Sequence, residues 1–196
     1  VLLRRRWLTW PFAFLVSCAT LVVSALLLMS VLEGGPISYE LGGWSPPWGI
    51  EYRVDTVNAF VLLLVSTIGA VVLLYAPDSV ANEIPGDRHY LFYTSYLLCL
   101  TGLLGITITG DAFNVFVFLE ISALSSYVLI SLGQDRRALT AAYQYLVMGT
   151  IGATFILIGI GLMYMMTGTL NMADLANRLP EVASTRTIPV ATRANS

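Results

Sequence analysis

The sequence predicts an all-α, polytopic membrane protein with about five transmembrane helices and a cytoplasmic N-terminus. Three observations carry that prediction. Of 196 residues, 57% are hydrophobic and only 11% charged, whereas soluble domains carry about 25% charged residues. Five apolar runs reach the roughly 20 residues a helix needs to cross about 30 Å of hydrocarbon. The arginines gather in segments that alternate in the chain, as they do when basic residues stay on the cytoplasmic side.

The first run, about Trp7–Leu32, follows Arg4, Arg5 and Arg6. It is longer than the roughly 7–15 residues of a signal-peptide core, so it reads as a retained helix. Helix 2 covers about Thr56–Tyr75, helix 3 about Tyr90–Thr109, helix 4 about Ala112–Leu132 and helix 5 about Leu139–Met166. Arg4–Arg6 place the N-terminus in the cytoplasm. The Glu33–Asp55 loop and the tight Thr109-Gly110-Asp111 hairpin then lie outside. The Ala76–His89 loop and Gln134-Asp135-Arg136-Arg137 lie inside. The outside loop contains Gly42-Gly43-Trp44-Ser45-Pro46-Pro47-Trp48-Gly49, which cannot be helical through its prolines. Its tryptophans suit a turn at the membrane–water boundary.

Helix 5 carries Gly149, Gly152, Gly159 and Gly161 with Ala141, Ala142 and Ala153. Small residues let helix backbones approach closely in lipid, so these are read as packing positions. A short interfacial helix is expected over Leu170–Leu179. Asn171 is its N-cap, Asp174 lies in its first turn, and Met172, Leu175 and Leu179 form its apolar side. Residues 180–196 are polar, have no apolar period and read as a disordered tail after the 1–179 bundle.

The net charge of −2 leaves no electrostatic footprint for nucleic acid. Cys18 and Cys99 sit inside apolar runs and read as small buried hydrophobes. His89, beside Asp87 and Arg88, reads as a solvated loop residue. No metal site is expected. No motif for iron–sulfur, flavin or haem is found, so no cofactor is expected.

The residue that needs a reason is Glu120, near the centre of the otherwise uncharged run of helix 4. An ionised side chain at the bilayer centre costs about 2.5 to 3.5 kcal/mol on insertion scales. Keeping a carboxyl of reference pKa about 4.3 neutral at pH 7 costs about 3.7 kcal/mol. The two costs are similar, so a modest change in nearby charge or hydration decides the protonation state. A proton carrier requires that balance. Glu120 shares a helical face with Phe116, Val117, Ala123, Leu124 and Tyr127. Tyr127 is two turns away and can reach the acid through a water. Ser122, Ser125 and Ser126 are expected to bond to local carbonyls. Asp111, at the hairpin, is expected to cap helix 4. The bland alternative for Glu120 is an interhelical hydrogen bond that only joins helices. The chain has no lysine, and no arginine falls in the middle of a predicted helix.

The run Gly110-Asp111-Ala112-Phe113-Asn114-Val115-Phe116-Val117-Phe118-Leu119-Glu120, followed by Ser125-Ser126-Tyr127, resembles the membrane-embedded glutamate helix of the proton-translocating antiporter-like subunits. These include the D subunit of Mrp-type sodium/proton antiporters and the M, N and L subunits of respiratory complex I. Residues 42–51 and 167–176 resemble the Mrp D branch in particular. The resemblance implies a partial antiporter-like helix bundle in a bacterial inner membrane, working with other membrane subunits and moving protons and sodium. It implies that Glu120 is an essential acid paired with a lysine on a later helix. It also implies that the family's first helix is missing, so that helix 1 is the family's second. The chain is then the front portion of a longer subunit, truncated or frame-disrupted near Pro180. The first expectation is therefore a membrane subunit of a monovalent cation/proton antiporter complex. The second is a proton-pumping membrane subunit, without redox centres, of an NADH–quinone oxidoreductase or hydrogenase-type complex. The third is a structural or assembly fragment without transport activity.

Overall fold

The computed structural model describes residues 6–133 and 135–187. Arg4, Arg5 and Gln134, used above for orientation, and the last residues of the expected tail, 188–196, lie outside them. The elements run α1 (Arg6–Gly34), β1 (Ile37–Glu40), a 3-10 turn (Leu41–Gly43), β2 (Glu51–Val54), α2 (Thr56–Glu83), α3 (His89–Ile108), α4 (Ala112–Ser131), α5 (Arg136–Thr167) and α6 (Met172–Thr187). Helices α1 to α5 are each long and apolar enough to cross a membrane. Neighbours in sequence pack as neighbours in space: α1 on α2, α2 on α3, α3 on α4, and α4 on α5, with α1 also touching α3. Short links between long helices leave an antiparallel neighbour as the near solution.

Helix α2 runs eight residues beyond Tyr75 and straight through Pro77. Pro77 has no N–H, so the carbonyl of Leu73, four residues earlier, loses its helical donor. The indole Nε1–H of Trp10 on α1 donates to that Leu73 oxygen at 2.8 Å. Ala76 joins Leu73, Ala13 and Tyr93 in one buried cluster, and Val80 joins Ile84 and Leu132 in another. Packing and a borrowed donor therefore carry the helix past its breaker, so the segment predicted as a loop from Ala76 is helical to Glu83. Trp10→Phe should lower stability by about 1–3 kcal/mol, the cost of a buried carbonyl left unsatisfied. Thermal unfolding in detergent reads this; an unchanged midpoint would show that Trp10 is not the donor α2 depends on.

Glycine sets the approach of α3 to α4. A Cβ on Gly102 would lie 2.8 Å from the Phe118 carbonyl oxygen and 2.7 Å from the Ser122 nitrogen, and one on Gly105 would enter the Phe118 ring. On α5, Gly149 is the only one of the four predicted packing glycines that meets another helix. A Cβ there would collide with the Tyr127 hydroxyl, whereas Gly152, Gly159 and Gly161 face open space. Only α4 and α6 pack closely on α5 here, so those three small residues have no neighbour to admit.

The predicted interfacial turn is the tip of a β-hairpin, a departure from an all-α chain. β1 and β2 pair antiparallel with Ile37 opposite Val54 and Glu40 opposite Glu51. Ile37-Ser38-Tyr39-Glu40 and Glu51-Tyr52-Arg53-Val54 both alternate in polarity, the period of a strand. Ile37 and Val54 seat the hairpin on Val31, Ala59 and Leu62 at the ends of α1 and α2.

The predicted short helix is longer than expected. α6 continues through Pro180 to Thr187, so residues 180–187 are helical rather than part of a tail. Pro180 is compatible with helical φ, but it lacks an N–H and its ring crowds the carbonyl four residues back. The carbonyl it leaves belongs to Ala176, an exposed residue. Of the predicted apolar side, Leu175 is buried against Ala112 and Ile160, whereas Met172 and Leu179 remain exposed.

Candidate functional site

Helix α4 begins as the sequence requires. Asp111 is extended, and its Oδ1 accepts from the Asn114 backbone N–H at 2.8 Å. Ser122, Ser125 and Ser126 donate to the carbonyls of Leu119, Ile121 and Ser122 at 2.9, 2.7 and 2.8 Å. These hydroxyls are consumed within their own helix, as expected.

Two faces of α4 are occupied. Phe118, Ser122 and Ser126, spaced by four, face α3: Gly102 and Gly105 lie against the first two, and Cys99 Sγ is 3.5 Å from Ser126 Oγ. Ala112, Phe116 and Tyr127 face α5. Ala112 and Phe116 pack with Ile160 and Met163, and Tyr127 meets Tyr145 edge-on at 5.2 Å. Glu120 is four residues after Phe116 and seven before Tyr127, so it lies on the stripe turned toward α5. It is the ninth residue of a 20-residue span, about 12 Å along the helix from its start.

Glu120 is half-buried. Among the described residues no hydrogen bond or ion pair reaches its carboxylate. Tyr127 is not joined to it by a hydrogen bond; its hydroxyl points at Gly149. Arg53, Arg88, Arg136, Arg137 and Arg178 all lie at helix ends or outside the spans. The one salt bridge among the described residues joins Arg178 to Asp174 at 2.9 Å. Among the described residues this acid is neither paired nor used as an interhelical tie.

A second carboxylate, Glu51, is buried and fully engaged; in the sequence it is only one acid among several in an outside loop. Its Oε1 accepts from Ser38 Oγ at 2.6 Å and its Oε2 from Asn171 Nδ2 at 2.9 Å. Its backbone carbonyl accepts from the Gly110 N–H at 2.8 Å. Asn171 in turn caps α6, its Oδ1 accepting from the N–H groups of Ala173 and Asp174 at 3.0 and 3.1 Å. Residues 109–111 bridge both ways, Thr109 to Tyr52 and Asp111 to Asn171. Gly168, with φ +73, turns the chain out of α5 into this arrangement. One knot therefore joins the hairpin, the start of the Glu120 helix and the start of α6. Beside it opens a cleft of about 290 Å³ lined by Glu51, Arg53, Asn58 and Thr109, among others. The alternation of 51–54 was the signal for the strand, but nothing in the sequence pairs Glu51 with Asn171.

The hydrogen bond from Ser38 holds the Glu51 carboxyl below its usual 4.5 against the opposing effect of burial, with Asn171 and Arg53 adding to the lowering. A group whose native pKa lies below its unfolded value stabilises fully above the unfolded value. That contribution should persist above pH 4.5 and fade as the pH falls through the lower native pKa. Thermal midpoints between about pH 7 and about pH 3 test this: Glu51→Gln should flatten the acid limb, and an unchanged limb would assign it to other carboxylates.

Residues 109–192 match the family model described as NADH:quinone oxidoreductase/Mrp antiporter, TM, as the resemblance of Gly110–Tyr127 implied. The chain is 44% identical over 173 residues to the NADH-quinone oxidoreductase N subunit of Desulforudis audaxviator, covering 88% of this chain and 34% of that protein. It is 36% identical over 170 residues to the Na(+)/H(+) antiporter D subunit of Alkalihalophilus pseudofirmus, covering 87% and 34%. Its fold superposes on a chain of the Mrp complex from Dietzia sp. with a TM-score of 0.82 at 26% identity, covering 95% of this chain and 35% of that one. The chain thus spans about a third of the length of the curated relatives it matches.

Proposed function

We propose, for a chain of the NADH:quinone oxidoreductase/Mrp antiporter membrane family, that it serves as a membrane subunit of a monovalent cation/proton antiporter complex in a bacterial inner membrane, and that Glu120 carries the proton. The observation that carries the reading is Glu120 itself: mid-span, half-buried and without hydrogen bond or ion pair among the described residues. Such an acid changes charge state when a cation approaches or withdraws, because the ionised form is the one a cation stabilises. The cation comes from outside the described residues. Tyr127, on the same stripe, orders water between itself and the acid.

The orientation follows the arginines. Arg88, Arg136 and Arg137 mark the cytoplasmic end. The hairpin, residues 109–111 and the start of α6 then form the outer end, where Glu51 ties them together.

The runner-up is a proton-pumping subunit of a quinone-reducing complex, supported by the 44% identity to an N subunit. Vesicles containing the assembled complex separate the readings. Under the antiporter reading, sodium collapses an imposed pH gradient with no quinone or electron donor present. Proton movement that requires quinone reduction and ignores sodium would favour the runner-up. Neither response would leave the structural role.

A further inference from the structure

We propose that Gly149 is a positioning residue for proton transfer. The side chain it lacks leaves a notch that holds the Tyr127 hydroxyl across the gap between α4 and α5, where it donates to the water that reaches Glu120. Gly149 acts in this way on the premise that Glu120 carries the proton. A Cβ on Gly149 would lie 1.9 Å from the Tyr127 hydroxyl oxygen, 3.0 Å from Cζ and 3.5 Å from Cε1. The atom that fills the notch is therefore the hydroxyl. The ring is held separately, edge-on against Tyr145, a contact that a phenylalanine would keep.

The hydroxyl itself makes no hydrogen bond among the described residues. A polar group inside a span is costly unless it finds a partner, and a phenol can donate to water. Ala112 and Phe116 fix the other end of the α4–α5 contact against Ile160 and Met163. Glu120, between Phe116 and Tyr127 on this stripe, therefore faces α5 between Ile160 and Gly149. Every other hydroxyl on these stretches is spent on a carbonyl of its own helix: Ser122, Ser125 and Ser126 on α4, and Thr150 and Thr154 on α5. Tyr127 is about 10.5 Å from Glu120 along the axis, a gap that a short file of water bridges.

Few titratable groups surround this stretch. On α3, Cys99 meets Ser126, Tyr96 donates to the Gly69 carbonyl of α2, and Tyr93 packs with Ala13 and Leu73. On α5, Tyr145 contacts Tyr127. Among the described residues, Glu120 is the one charged group in α3, α4 or α5 away from their ends. Hydrogen bonds to an ionised carboxylate favour that form. Water ordered by Tyr127 therefore eases release of the proton from Glu120, and a displaced hydroxyl makes release harder.

The test measures sodium-driven decay of a pH gradient by the assembled complex across a range of pH, with thermal unfolding of the same preparations. Gly149→Ala and Tyr127→Phe should each move the acidic limb of the exchange profile up by about one pH unit. Gly149→Ala should also lower the thermal midpoint. The double variant should regain that midpoint and keep the shift of Tyr127→Phe without adding to it. A wild-type profile in either single variant would overturn the proposal, and Tyr127→Phe supplies that outcome even where Gly149→Ala fails to fold. A double variant as unstable as Gly149→Ala would show that the hydroxyl is not what the notch admits. Glu120→Gln is the control. Wild-type exchange in it removes the proton-carrier premise and this role with it. Exchange lost in Glu120→Gln beside unshifted single variants overturns the Gly149 role alone.

Discussion

Glu120→Gln should reduce sodium-driven proton exchange by the assembled complex to the level of empty vesicles, while leaving the protein as stable as before. The two halves of that expectation come from the same geometry. Glu120 makes no hydrogen bond or ion pair among the described residues, so an isosteric neutral side chain removes no tie that holds helices together. Substitutions away from packing and polar networks usually stay within about 0.5 kcal/mol. Glutamine, however, cannot ionise, so the site loses its ability to load and release a proton. Glu120→Asp keeps the titratable group but withdraws it by one methylene, and should retain measurable exchange. The measurement is the decay of a pH gradient in everted vesicles after sodium addition, paired with thermal unfolding of the same preparations. A Glu120→Gln complex that exchanges as fast as the wild type sinks the proton-carrier role. One that loses both exchange and stability assigns Glu120 to structure.

Glu51→Ala should produce the reverse pattern, a large loss of stability. It removes the acceptor of Ser38 and of Asn171. Hydrogen bonds to a charged group contribute about 1.5–3 kcal/mol each, and buried donors left unpaired add to the loss. Allowing for non-additivity between two bonds on one carboxylate, we expect a loss of about 3–5 kcal/mol. Glu51→Gln should cost less. Its amide oxygen can accept from Asn171 while its NH₂ donates to the Ser38 hydroxyl, which accepts as readily as it donates. Amide hydrogen exchange adds a local reading: Gly110 and Met172, whose N–H groups bond to the Glu51 and Gly110 carbonyls at 2.8 Å, should exchange faster in Glu51→Ala. An unchanged midpoint and unchanged exchange at these two amides would show that the knot contributes nothing.

These two acids differ in how legible they were. Glu120 stands out in one dimension, since a charge inside a long apolar run needs no partner to be noticed. Asp111 and Asn171 were equally readable as helix caps, because a cap acts on N–H groups two or three residues away. Glu51 was not readable in its role. It sits in a polar loop among other acids, and its partner Asn171 lies 120 residues on. The same limit explains the helix ends. The sequence reading ends helix 2 at Tyr75 and starts a polar tail at residue 180, whereas both helices continue through a proline, Pro77 and Pro180, that removes a local donor. A donor from Trp10 on another helix in the first case, and the position of Ala176 on an exposed stretch in the second, make each proline tolerable.

The sequence by itself determined that this is a membrane chain with five segments long and apolar enough to span, and that one of them holds an acidic residue near its centre. Those properties depend on composition and on interactions within a few residues. The tertiary structure alone decided which stripe of α4 meets α3 and which meets α5, leaving Glu120 on the second without a partner among the described residues. It also decided that Glu51 closes the end of the bundle from which the Glu120 helix starts. Both outcomes depend on residues far apart in the chain, which only the packed helices bring together.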